Sequence, residues 1–130
     1  MRELSDELNS LIERVIGAAI EVHRGLGPGY LEKVYEEALA VELSLRGIKF
    51  ERQYPVAVVY KGHPCGGSKL DFLVEDALIL ELKTVDALGD IHRAQVISYF
   101  KVTNLDIGLL LNFQVSVMKE GIKRVICSSH

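Results

Sequence analysis

The stretch from Ser68 to Val85, SKLDFLVEDALILELKTV, limits what this 130-residue chain can fold into more than any other part of it. Leu70, Phe72 and Val74 alternate with Lys69, Asp71 and Leu73. Glu75-Asp76 then interrupts, and Ala77 to Val85 resumes in extended fashion, so the spacing predicts a β-hairpin. Side chains alternate across a strand, which puts Glu81 and Lys83 on one face of the second strand and Leu78, Leu80 and Leu82 on the other. That strand is otherwise apolar, as expected of one covered on both sides. A carboxylate and an amine are costly there unless they are paired or hold a metal.

Asp71, Glu81 and Lys83 are therefore the first candidates for chemistry. Two carboxylates at one place repel each other, and a hard cation such as Mg²⁺ or Mn²⁺ is the usual remedy. Such an ion polarises a phosphate oxygen and acidifies water, and Lys83 beside it can orient that water or neutralise developing charge. The plainer reading is a cross-strand ion pair, and the short D-x₉-E-x-K pattern does not separate the two.

The length suits one domain, residues 1–130. No apolar run reaches the roughly 20 residues of a membrane span, and MRELSDELNS lacks the apolar core of a signal peptide. Cys65 and Cys127 lie far apart with no CxxC, which argues against zinc-ribbon and redox motifs. These features predict a cytoplasmic protein with reduced thiols and no membrane partner. The net charge of −3 gives no bulk attraction to polyanions, so any contact with nucleic acid is expected to be local.

Taken in order, a first helix is expected from about Leu4 to Arg24, capped by Ser5 or Asp6. Gly25 to Gly29 breaks it. A second helix from Tyr30 to Arg46 should bury Leu31, Val34, Tyr35, Ala38, Leu39 and Leu45, with Gly47 at its end. A strand from Lys49 to Lys61 contains Pro55 and so is expected to be bent or at a sheet edge. Gly62 to Gly67 reads as a turn into the hairpin. A third helix follows from Ile91 to about Thr103, with Asp90 as cap and Asn104 at its end, then a buried strand over Asp106 to Phe113. Val115 to Cys127 reads as a peripheral hairpin turning at Glu120-Gly121, and the Ser-Ser-His tail as loose. Helices on both sides of a run of strands indicate a three-layer α/β sandwich around a mixed sheet.

Other polar groups fall at suggestive spacings. Gln95 and Tyr99 share one face of the third helix and can hold a phosphate, a base or Lys83; alone, they read as ordinary surface residues. Glu32 and Tyr35 lie one turn apart at the start of the second helix, where a carboxylate also complements the helix dipole. His23 continues the row Ile12, Ile16, Ala19 and reads first as a hydrogen-bonded core histidine, with metal ligation as the alternative.

The segment Gly29-Tyr30-Leu31-Glu32-Lys33-Val34-Tyr35 resembles the signature of the GxxExxY family, a branch of the PD-(D/E)XK nuclease superfamily. EVHRGLGPGYLEKVYEEAL, LDFLVEDALILELK, AQVISYFK and GLLLNF resemble family blocks in family order, nearly end to end. The resemblance implies a restriction-endonuclease-like αβββαβ core with an extra N-terminal helix and a C-terminal strand or hairpin. It implies Glu32 as the helix glutamate, Asp71 and Glu81 as metal ligands, and Lys83 as the catalytic lysine. Gln95 and Tyr99 match the Q-x-x-x-Y motif of the branch similar to bacterial recombination exonucleases, and so would position substrate. In some of those relatives an N-terminal histidine also binds metal, which makes His23 a third candidate ligand. Leu70 stands where the proline before the aspartate would be.

The implied activity is Mg²⁺- or Mn²⁺-dependent hydrolysis of DNA or RNA. The competing expectation is a catalytically silent module of the same fold that binds nucleic acid or a protein partner. A third is one subunit of a complex or homo-oligomer, with the basic surface supplied by a partner.

Overall fold

The structure is a computed structural model that describes residues 4–127. Helix α1 spans Asp6–Leu26 and starts where Ser5 accepts a hydrogen bond from the Leu8 N–H (3.1 Å). Its acidic first turn and basic last turn both complement the helix dipole. Helix α2 follows over Glu32–Leu45, then strands β1 (Phe50–Tyr60), β2 (His63–Val74) and β3 (Leu78–Lys83). Helix α3 (Asp90–Thr103) crosses over to β4 (Ile107–Asn112), and a 3₁₀ turn at Met118–Gly121 leads into β5 (Ile122–Ile126). The five strands stand in sequence order in one sheet, antiparallel except for the β3–β4 pair that α3 connects.

Two cores, one on each face of the sheet, make this a three-layer sandwich. On one face α1 and α2 bury Ile12, Val15, Tyr35, Leu39 and Leu43 against Phe72, Leu80, Leu82, Leu109 and Phe113. On the other, Val96, Tyr99 and Phe100 of α3 cover Leu70, Leu73, Ile79 and Leu110. Leu80 and Leu82 thus face one layer and Ile79 the other, as a doubly covered central strand requires. This mixed α/β architecture, with its added N-terminal helix and C-terminal strand, is the restriction-endonuclease-like fold.

Four local expectations need correction. Leu31, Val34 and Leu45 are exposed, and the buried side of α2 is Tyr35, Glu36, Leu39, Ala40 and Leu43. The helix carries two apolar stripes, and the one that turns inward also carries Glu36, which pairs with Arg52 of β1. His63 to Gly67 is strand, since β1 and β2 stay paired out to Tyr60–His63 and the turn shrinks to Lys61-Gly62, both at positive φ. Gly67 is needed for strand approach, because a Cβ there would lie 2.3 Å from the Val56 carbonyl oxygen. Helix α3 is capped at Gly89, whose N–H donates to His92 Nδ1 (2.9 Å), and Asp90 is its first residue.

The segment after Val115 is no separate hairpin. Its one strand, β5, extends the main sheet by pairing with β4, because Ile122, Val125 and Ile126 find the two cores there. Its entry is tight: a Cβ on Gly121 would lie 2.1 Å from the Asn112 carbonyl oxygen. Gly121→Ala should therefore destabilise the fold by about 1–3 kcal/mol, read as a lower midpoint in denaturant. The expected end of α3 at Asn104 holds, in the left-handed conformation. The Ser-Ser-His tail lies outside the described residues.

Candidate active site

Asp71 and Glu81 lie where β2 and β3 part. Their ladder runs from Val74–Leu78 to Phe72–Leu80 and ends there. At the next step each carboxylate takes over an amide of the opposite strand. Glu81 Oε1 accepts from the Asp71 N–H (3.0 Å), and Asp71 Oδ2 accepts from the Leu82 N–H (2.8 Å). Each acid is thus held in place by a backbone N–H of the opposite strand.

The two acids are crowded, with Glu81 buried and Asp71 half-buried. Glu81 is 3% exposed, and burial, reinforced by the charge of Asp71, pushes its carboxyl up to about 8. Burial also raises Asp71, against the opposing bonds from Leu82 and Gln53. Lys83 Nζ stands 3.9 Å from Glu81 Oε2 and donates to Gln95 Oε1 (2.8 Å). This contact is an ion pair without a hydrogen bond, and the ammonium lowers both carboxyls without cancelling the effect of burial.

Three further elements aim the set. Buried Asn112 of β4 latches the chain just past Lys83: its Oδ1 accepts from the Val85 N–H (3.1 Å) and its Nδ2 donates to the Val85 carbonyl (2.9 Å). Gln95 and Tyr99 of α3 do share a face. Gln95 holds Lys83, while the Tyr99 hydroxyl lies 3.4 Å from Ser68 Oγ on β2 and is raised chiefly by burial. Beside Tyr99 a groove of about 560 Å³ opens between α3 and the far end of the β1–β2 hairpin, with Val56, Val59 and Lys101 among its walls.

Glu32 opens α2. Its side chain is largely exposed, and partial burial followed by the nearby charge of Asp71 raises its carboxyl. Tyr35 explains how this helix start is placed. Its ring stacks on Phe113 with centroids 4.5 Å apart. Its hydroxyl donates to the Gly27 carbonyl and accepts from the Tyr30 N–H (3.2 Å), tying down the loop that precedes Glu32. His23 is engaged elsewhere: it is buried, its Nε2 lies 2.7 Å from the Val115 carbonyl oxygen, and its ring sits near Phe113. Those contacts match the core-histidine reading of the sequence.

Sequence reasoning passed over Glu36, Arg52 and Gln53. Glu36 is 7% exposed, and its Oε2 accepts from Arg52 Nε (3.0 Å) and Nη2 (2.6 Å). Gln53 Nε2 donates both to Glu36 Oε1 (2.8 Å) and to Asp71 Oδ1 (3.3 Å). The signal for Glu36 was present in its row with Leu39 and Leu43, at i+3 and i+7.

Among the described residues no three His, Cys, Asp or Glu side chains converge to enclose a metal ion by themselves. Asp71 and Glu81 nevertheless offer hard oxygen donors whose mutual repulsion a divalent cation would relieve. No curated protein matches the chain. The family model for the PD-(D/E)XK nuclease superfamily matches residues 9–125, which include every strand and helix start of the site except that of α1. With this match over most of its length, and with the fold that carries it, the chain belongs to the PD-(D/E)XK nuclease superfamily.

Proposed function

We propose that the protein is a Mg²⁺- or Mn²⁺-dependent nuclease of the GxxExxY branch that hydrolyses phosphodiester bonds. The observation that carries this reading is the pair of carboxylates at the parting of β2 and β3, Glu81 buried and Asp71 half-buried, with Lys83 beside them. Asp71 and Glu81 would hold the cation, with a backbone carbonyl near Leu82. A bound divalent ion would polarise the scissile phosphate and lower the pKa of water.

The side chains supply the rest. Lys83, steadied by Gln95, hydrogen-bonds the attacking water and faces the negative charge that builds on the phosphorane. Glu32 adds a carboxylate at the rim of the site. Gln95 and Tyr99 set the position of the substrate phosphate, and the groove beside Tyr99 gives the strand a path away from the acids. His23 stays a core residue in this reading, because its Nε2 is already engaged by Val115.

Lys83→Met keeps the length of the side chain and removes its charge. It should lower cleavage of a mixed single- and double-stranded nucleic-acid panel by about 10²–10³-fold, with Mn²⁺ affinity within a few-fold of wild type. Full cleavage by Lys83→Met would remove Lys83 from the mechanism.

A further inference from the structure

We infer that Gln53 is a positioning residue that holds Asp71 in the orientation needed to bind the cation, anchored from behind by the Glu36–Arg52 ion pair. The inference rests on the reading of Asp71 as a metal ligand. Three observations lead to it.

The first is conformational. Gln53 has φ +50, in the left-handed region, a conformation that costs a non-glycine residue about 1–2 kcal/mol. The β1–β2 ladder pairs Arg52 with Phe72 and Tyr54 with Leu70, and it skips the Gln53–Asp71 step between them. The β2–β3 ladder also ends one step before Asp71. Asp71 therefore sits at a step missing from the strand pairing on both sides of its strand. Sheet formation alone gains nothing from this departure.

The second is what fills the gap. Asp71 Oδ1 accepts from Gln53 Nε2 and Oδ2 accepts from the Leu82 N–H. With one donor on each oxygen the carboxylate plane is fixed, and each oxygen keeps a second lone pair for another partner. The donor from β1 is a neutral amide. A lysine or arginine in its place would neutralise Asp71 and compete with a cation; an amide orients the acid and leaves its charge available.

The third is the anchor. The same Nε2 donates to Glu36 Oε1, and Glu36 is itself gripped by two N–H groups of Arg52. Arg52 in turn donates to both oxygens of Glu37 (3.3 and 2.6 Å), so it cannot swing away freely. Outer partners of this kind typically contribute 10–100-fold to metal affinity.

Two variants separate the amide from the backbone. Gln53→Gly removes the amide and adopts positive φ without cost. Gln53→Met keeps the length and the backbone strain and donates nothing. Calorimetric Mn²⁺ titration of the intact chain should show an affinity about 10–100-fold below wild type in both, while the metal-free melting temperature of Gln53→Gly stays within a few degrees of wild type. A loss in Gln53→Gly with none in Gln53→Met would assign the effect to the backbone and overturn the inference. Unchanged affinity in both, beside a wild type that binds, would overturn it as well and leave the nuclease reading intact. A wild type that does not bind Mn²⁺ would instead remove the metal-ligand reading, and the role of Gln53 with it.

Discussion

Asp71→Asn should lower phosphodiester cleavage by about 10³-fold or more while leaving the fold in place. Asparagine is the informative choice because its size and one of its acceptors are unchanged. The new side chain still presents an oxygen, but its amide must point either at Gln53 Nε2 or at the Leu82 N–H, both of them donors. One donor therefore faces another, at about 1–3 kcal/mol of stability. Against that modest cost stands the loss of one of the two carboxylates proposed to hold the cation, worth several kcal/mol of transition-state stabilisation. The two effects differ enough to be read separately. Circular dichroism and melting report the first, and initial cleavage rates at matched Mn²⁺ report the second. Cleavage by Asp71→Asn within tenfold of wild type would mean that the chemistry lies elsewhere.

Glu81→Gln should do the opposite to stability, and in a pH-dependent way. In the folded, metal-free protein Glu81 holds its proton up to about pH 8, whereas in the unfolded chain it releases it near the ordinary glutamate value of 4.5. Between those values the folded state binds the extra proton. The contribution of Glu81 is therefore fully present below about pH 4.5 and is lost as pH rises through 8, with a slope of at most about 1.4 kcal/mol per pH unit. Glutamine has no proton to lose and can still accept the Asp71 N–H through Oε1. The variant should match wild type at pH 5 and exceed it by more than about 1 kcal/mol at pH 8.5, measured by urea unfolding in EDTA. The gain should come with loss of cleavage, since the burial and the Asp71 charge that disfavour the Glu81 carboxylate are what a divalent cation would offset. Parallel pH profiles for the two proteins would show that Glu81 is not held under strain.

The hairpin of β2 and β3 was legible in the sequence because two apolar-rich runs flank the Glu75-Asp76 turn and the second strand is apolar on both faces. That pattern also brought Asp71, Glu81 and Lys83 together, since adjacent antiparallel strands leave few registers. Helix ends at Ser5 and Asn104 were legible from capping chemistry. Less visible was which stripe of α2 turns inward. Val34, Val41 and Leu45 are as apolar as Leu39 and Leu43, and the inward stripe is marked only by long-range partners, among them the stack of Tyr35 on Phe113 and the pair of Glu36 with Arg52. His63 to Gly67 misled because glycine and proline mark turns by local propensity, whereas here the close approach of β1 sets the strand. The left-handed backbone of Gln53 had no signature at all: nothing in a glutamine between Arg52 and Tyr54 announces a break in the ladder. The acids of the site could be read from local pattern, and the network that orients them could not, because its partners come from α2 and β1.

The central claim is that Asp71 and Glu81 together bind a divalent cation. Isothermal titration of Mn²⁺ into the wild type and into the Asp71→Asn/Glu81→Gln double variant tests it without any choice of substrate. The account predicts saturable binding to the wild type, with a rise in melting temperature on adding Mn²⁺, and neither effect in the double variant. Equal binding to both proteins, or none to either, would contradict it.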